Sequence, residues 1–361
     1  MFIHSLGKAF LLGLISFTVT GTVCAASNQV VVSTKVQKGE FATIAAALES
    51  APADDTPFTI FLKKGIYNER LEINRANVTL KGEARDETVI SATTAAGMLN
   101  PQGEKWGTSG SSTLLVNGSH FTAEDLTIRN DFDFPGNRAL PEGAPGKLKD
   151  TQAVALLLAE KSDKARFKRV RLEGYQDTLY SKTGSRSYFT DCEIGGHVDF
   201  IFGSGVMVFD GCKIIARDRS DIAPPYGYLT APSTKSESPY GLVFLNSQLL
   251  KESGVPANSF ALGRPWHPTT TFDDGRYADP KAIGQSVFIN CYMDNHIYGW
   301  DKMSGKDKQG KTIWFYPQDS RFFEANSSGP GASITPGRRQ LTEAQLAMFT
   351  LKAIFPDWAL D

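Results

Sequence analysis

The chain has 361 residues, 41% of them hydrophobic, and a formal net charge of −1. It therefore has the apolar content of a folded protein and lacks the basic excess that a nucleic-acid partner demands. Beyond the N-terminus no stretch reaches the roughly 18 apolar residues of a membrane span, so neither nucleic acid nor membrane is an expected partner.

In chain order, residues 1–25 read as a secretory signal: His4 and Lys8 in a short polar start, the apolar run "AFLLGLISFTV", then small residues at "VCAA". Cleavage is expected after Ala25 or Ala26. Cys24 precedes the cut, and Thr22 with Val23 make a poor lipoprotein box. The expectation is a protein secreted to the extracellular space or held in the periplasm, with residues 27–361 forming one domain. The first element, "FATIAAALESA" over residues 41–51, reads as a short amphipathic helix.

The middle of the chain shows no dominant helical period. Short β-branched and aromatic runs recur between Gly, Asn and Asp, the pattern of many short strands. The runs "FKRVRL" at 167, "FTDCEI" at 189, "FDGCKI" at 209, "FLNSQL" at 244 and "FINCYM" at 288 share the template Phe-x-x-small-x-aliphatic, and "AEDLTI" at 123 is a weaker copy. The first three start 22 and 20 residues apart and the later ones 35 and 44. A strand-and-turn period of that length predicts a solenoid in which each coil stacks on the last, with the longer gaps as loops inserted on one face. The fold class expected is all-β, a single-stranded right-handed parallel β-helix with short capping helices; an immunoglobulin-like sandwich is the alternative. The helix at 41–51 could cover the first coil. "LTEAQLAMFTL", where Thr342 and Gln345 have capping-box spacing, could cover the last.

The coil period carries over to the polar residues. Asp177 in "GYQDTLY" and Asp199 in "GGHVDFIFG" lie 22 residues apart, and stacked strands are ~4.8 Å apart, so the two carboxylates should be near neighbours. Gln152 precedes Gln176 by 24 residues and joins the cluster by the same reasoning. Two close carboxylates cannot both ionise cheaply, which yields a nucleophile or base and a general acid from one residue type. The bland alternative is a solenoid ladder of Asp and Asn that satisfies turn backbone. Arg264 in "ALGRPWHP", held between Gly and Pro, is the candidate cation, because its planar fork suits a carboxylate. Trp266, Tyr180 and Phe202 offer flat apolar faces for sugar rings. No Gly-x-Ser-x-Gly elbow is present, and His120, His197, His267 and His296 are spread without metal-ligand spacing. No metal and no cofactor are expected. Cys192 and Cys212 share a template position in consecutive coils, so a disulfide is expected between them; Cys291, separated from Cys212 by the coil carrying Ser247, should stay a buried free thiol.

"GYQDTLY", "GHVDFIFG" and "LGRPW" resemble the three signature segments of pectin methylesterases of the bacterial type. "GIYNE" at 65, "QAVAL" at 152 and "EFATIAAALESAP" at 40 add to the similarity, which runs in order from about residue 40 to 266 and continues weakly through "GWDKMSG". The resemblance implies a parallel β-helix that hydrolyses galacturonate methyl esters in pectin, without metal and as a monomer. It also implies Asp199 as nucleophile, Asp177 as general acid and then base, Gln176 and Gln152 as oxyanion donors, and Arg264 as the partner of Asp199. Trp266 would border the sugar site, with Thr108, Arg219, Tyr228 and Met303 as substrate-groove positions. An esterase or thioesterase of the same fold with another substrate is the first alternative. A pectate lyase, a polygalacturonase and a non-catalytic carbohydrate-binding β-helix are the others.

Overall fold

The computed structural model describes residues 28–360; the expected leader lies outside the described residues. Each turn of the chain lays one strand into each of three parallel sheets, the first of ten strands and the other two of eight. One coil runs through Ala165–Lys168, Arg171–Glu173 and Leu179–Ser181, and the next through Arg186–Thr190, Glu193–Gly196 and Val198–Gly203. Phe167 pairs with Phe189, Leu172 with Ile194 and Leu179 with Ile201, so the coils stack in register. The architecture is a right-handed parallel β-helix, the hand that such crossovers take.

The template's first position forms the spine of the core. Phe167, Phe189, Phe209, Phe244 and Phe288 stack face to face with centroids 4.4, 4.8, 4.6 and 4.4 Å apart, which is the strand spacing imposed on rings. The third position turns the chain from the first sheet into the second. Asp125, Arg169, Asp191, Gly211, Asn246, Asn290 and Asn326 all have φ between 49° and 64° there. That left-handed region is cheapest for Gly, Asn and Asp, hence their recurrence.

The N-terminal end is closed by the helix Ile44–Glu49, whose Ile44 and Ala47 are buried against the first coils. The Glu69 carboxylate accepts the free backbone N–H groups of Ile44 and Ala45 at 2.8 and 3.0 Å. The C-terminal expectation needs correction. The capping box at Thr342 and Gln345 is present, but it opens only a one-turn helix, Glu343–Leu346, followed by a second, Leu351–Ile354. Leu346 and Phe349 pack on Val287 and Ile289, and Ile354, Phe355 and Trp358 on Val208 and Val243. The tail therefore runs back along the outer face of the ten-stranded sheet instead of covering the last coil. In that coil Glu324 follows Phe288 in register, and its buried carboxylate is paired with the buried Arg338.

The expected Cys192–Cys212 disulfide is not formed; both are buried free thiols, as is Cys291. Parallel in-register strands point equivalent Cα–Cβ bonds the same way, so the Cβ atoms stay about 4.8 Å apart, beyond the ~3.8 Å a disulfide prefers. Each thiol instead donates to carbonyls, Cys192 to Thr190 at 3.3 Å and Cys212 to Phe189 at 3.5 Å. Unfolded without reductant, the chain from residue 27 onward should titrate three thiols; a count of one would restore the disulfide.

Among the described residues, His296 is fully buried with neither ring nitrogen hydrogen-bonded. Burial pushes its pKa from 6.5 down to about 4. The unfolded chain thus binds the proton first, and the stability associated with neutral His296 is complete above pH 6.5 and lost as pH falls toward about 4. The urea midpoint should drop across that window, and His296→Leu should flatten the drop.

Candidate active site

The site lies on the outer face of the third sheet, where Leu156–Leu158, Leu179–Ser181, Val198–Gly203, Gly227–Pro232 and Phe260–Gly263 are consecutive neighbours. Two glycines of "GGHVDFIFG", Gly196 and Gly203, are steric necessities. A Cβ on Gly196 would strike Phe200, and one on Gly203, at φ 116°, would strike the Ser181 carbonyl. Between them the register with the next strand slips, Val198 pairing Tyr228 but Ile201 pairing Thr230. Such a bulge re-aims a side chain. At its centre Asp199 has φ 50°, and one coil earlier Asp177 has φ 65°. Left-handed backbone at both positions takes the carboxylates out of the alternation of the strand.

Both aspartates are only 8% exposed. The Arg264 guanidinium grips Asp199 with two parallel hydrogen bonds, Nε to Oδ1 at 2.9 Å and Nη2 to Oδ2 at 2.6 Å. Its other face lies 3.8 Å from the centre of the Tyr228 ring, and the backbone bonds Arg264 N–H to Thr230 O and Trp266 N–H to Pro232 O fix the loop that carries it. Asp177 accepts no hydrogen bond among the described residues. Burial first, and the neighbouring Asp199 charge second, raise its pKa well above the usual carboxylate range, against a smaller lowering by Arg264. Neither side chain satisfies turn backbone, so the ladder alternative has no support in the geometry. The pair is one carboxylate held by a cation and one carboxyl favoured in its protonated form.

Gln176 and Gln152 sit beside them. The Thr151 hydroxyl donates to Gln176 Oε1 at 3.0 Å, which leaves the Gln176 amide N–H groups for the cleft. Trp266 meets Phe202 edge-on at 5.6 Å, and Phe202 stacks on Tyr180 at 4.3 Å, giving the cleft an apolar floor. The cleft encloses about 560 Å³, and Thr108, Gln152, Gln176, Asp177, Tyr180, Asp199, Phe202, Arg264, Trp266 and Met303 all line it. Two expected positions stand outside that lining. Tyr228 lies behind Arg264, and Arg219 lines an adjoining hollow that shares Gln176 with the cleft. Tyr180 and Trp266 are shared with a second hollow on the other side, so the three form one groove across the sheet.

Four lining residues escaped the sequence reading: Trp106, Gly107, Ser109 and Ala231. Trp106 belongs to an inserted loop with no coil template, and the Arg70 guanidinium holds it by stacking 3.9 Å from its ring and binding Gly110 O. A tryptophan in the Gly-rich run "KWGTSGSS" was the available signal. His197, which the sequence left without a partner, is buried; its Nδ1 accepts the Val198 N–H at 2.7 Å, and Phe134 meets its ring at 4.4 Å.

Comparison with known proteins agrees with this geometry. The family model described as Pectinesterase matches residues 29–350. Pectinesterase A of Dickeya chrysanthemi is 56% identical over 349 residues, 96% of this chain and 95% of the relative. A pectin methylesterase from Yersinia enterocolitica has a solved structure that is 78% identical, covering 89% of this chain and 100% of its own, with a TM-score of 0.88. A pectin methylesterase solved in complex with a hexasaccharide is 57% identical, with a TM-score of 0.90 and coverage of 91% and 97%. With a β-helix of this register and an Arg-held aspartate beside a buried one, the chain belongs to the pectinesterase family.

Proposed function

We propose that the protein hydrolyses galacturonate methyl esters in pectin, releasing methanol and leaving demethylated chain, with Asp199 as nucleophile and Asp177 as general acid and base. The observation that carries this reading is the contrast between the two aspartates, one gripped on both oxygens by Arg264 and the other unpartnered and pushed toward the neutral form. Arg264 occupies one lone-pair direction on each Asp199 oxygen, which leaves an oxygen free to attack the C6 carbonyl carbon. The negative charge that develops on the carbonyl oxygen is met by the Gln176 amide N–H, with Gln152 alongside. As the intermediate collapses, the ester C–O bond breaks, and the Asp177 proton passes to the departing methoxide oxygen. Asp177, now ionised, takes a proton from water, and the hydroxide attacks the substrate carbon of the Asp199 anhydride. Asp199 leaves as a carboxylate, Asp177 is protonated again, and the galacturonate acid is released.

The groove fits a polymeric uronate. Arg138, Lys147, Lys149 and Arg219 line its hollow beyond Gln176 against one acid, Glu142, and Lys182 and Lys235 the one beyond Trp266 against Glu160. Cations therefore outnumber acids along it, although all but Lys149 are ion-paired among the described residues. The reading includes action outside the cytoplasm, supported by the polar, apolar and small-residue order of residues 1–25, and keeps the expected monomer.

Asp199→Ala and Asp177→Ala should each abolish methanol release from methylated pectin while leaving the circular dichroism spectrum unchanged. Gln176→Ala should lower kcat by roughly 10² to 10³, the usual loss for one oxyanion donor, and Arg264→Lys should be poor because the fork is lost. Methanol release should withstand EDTA, with no new reducing or unsaturated chain ends. Chain cleavage without methanol, or turnover of an acyl thioester with pectin untouched, would replace the reading.

The linkage between the aspartates gives a second measurement. A raised pKa keeps Asp177 protonated to higher pH, so activity should fall as pH rises through it. Asp199→Asn removes the neighbouring negative charge and should shift the Asp177 titration to lower pH, followed by carboxyl-carbon NMR; an unmoved Asp177 would mean the two are not coupled.

A further inference from the structure

The ribbon formed by Met303–Lys306 and Thr312–Phe315 is antiparallel, with Met303 opposite Phe315, Ser304 opposite Trp314 and Lys306 opposite Thr312. Its two faces differ as alternation requires. Met303 reaches the catalytic cleft and Phe315 stacks on His267, so one face forms the back of the cleft wall. The other faces solvent, yet it carries Trp314 at 49% exposure and, one alternation further, Tyr316 at 39%. The Lys302 ammonium lies over both rings, 4.7 Å from Trp314 and 6.0 Å from Tyr316. Lys302 has no ion-pair partner among the described residues, and Lys306 bonds only the Thr312 hydroxyl. The nearby acids are engaged elsewhere: Asp301 accepts from Tyr298 and from the Lys302 N–H, Asp307 from the turn N–H groups of Gln309 and Lys311, and Asp274 pairs with Lys308.

Two adjacent exposed aromatics bracketed by unpaired ammonium groups match one kind of polymer, a chain that alternates apolar sugar faces with carboxylates. We propose that the outer face of this ribbon, Trp314 and Tyr316 with Lys302 and Lys306, is a second docking surface for demethylated galacturonan, separate from the cleft and one ribbon thickness behind it. The proposal rests on the pectin reading of the cleft. Sugar rings stack on the aromatics, and carboxylates displace the lysine from the rings. Each ester hydrolysed in the cleft adds a carboxylate to the chain, so the surface gains affinity for the same molecule as the reaction proceeds. A chain held there raises the local concentration of its remaining esters at the cleft without touching the reacting atoms.

The test compares wild type with the double variant Trp314→Ala, Tyr316→Ala and with Lys302→Gln, using Ca²⁺-free polygalacturonate and a short galacturonate oligosaccharide in calorimetry, and methylated pectin and a short methylated oligosaccharide in methanol-release assays. The double variant should bind polygalacturonate roughly three- to tenfold more weakly and raise KM on polymeric pectin by a similar factor. Its kcat, its kinetics on the short oligosaccharide and its melting temperature should not move. Lys302→Gln should reduce the salt dependence of polygalacturonate binding. Unchanged affinity for the long chain in the double variant would overturn the proposal. So would a wild-type dimer that the double variant abolishes, since a second copy of the chain would then be what the face receives. Failure of the pectin reading itself would be seen separately, as wild type that binds polygalacturonate yet releases no methanol from pectin.

Discussion

Stacking of one coil on the next in strict register, at the spacing of hydrogen-bonded strands, is the constraint on which the rest depends. It turns a sequence period into a column in space. The stacked phenylalanines, with centroids 4.4 to 4.8 Å apart, show the constraint acting on apolar residues. The left-handed turn positions from Asp125 to Asn326 show it acting on backbone. Asp177 and Asp199 show it acting on charge, since residues one coil apart are forced together whatever their mutual repulsion costs.

That repulsion is what the site uses. Two neighbouring carboxylates with little exposure favour different protonation states, and the position of Arg264 decides which takes which. By binding both oxygens of Asp199 and none of Asp177, the guanidinium stabilises one charge, and that charge then helps keep its neighbour neutral. Removing one partner would leave the other charge largely desolvated and uncompensated, so the pair holds the loop at 264–266 as well as the chemistry.

The coil repeat supplies the floor of the groove, and the insertions supply its walls. Strand alternation puts Tyr180 and Phe202 on the outer face of the third sheet. Trp106 and Thr108 come from a loop near the N-terminal coils, while Trp266 and Met303 come from loops near the C-terminal ones. A stacked core tolerates such insertions because each coil touches only its neighbours. The site could therefore acquire walls without disturbing the register that aligns its aspartates.

The sequence by itself determined the repeat, the β-helix, the proximity of Asp177, Asp199, Gln152 and Gln176, and Arg264 as the best candidate cation, because each follows from spacing along the chain and from residue chemistry. Tertiary structure decided what depends on direction rather than spacing. Cys192 and Cys212 are neighbours as the period requires, but parallel Cα–Cβ bonds keep their Cβ atoms at strand spacing instead of disulfide distance. The tail with its capping box follows the flank of the sheet because Val208, Val243, Val287 and Ile289 offer it an apolar face there. Trp106 enters the cleft from an inserted loop, and Trp314 faces away from it because packing of Met303 and Phe315 fixes which face of an inserted ribbon turns inward. In such segments contacts with the rest of the fold set the orientation of a side chain, and no spacing in the sequence encodes them.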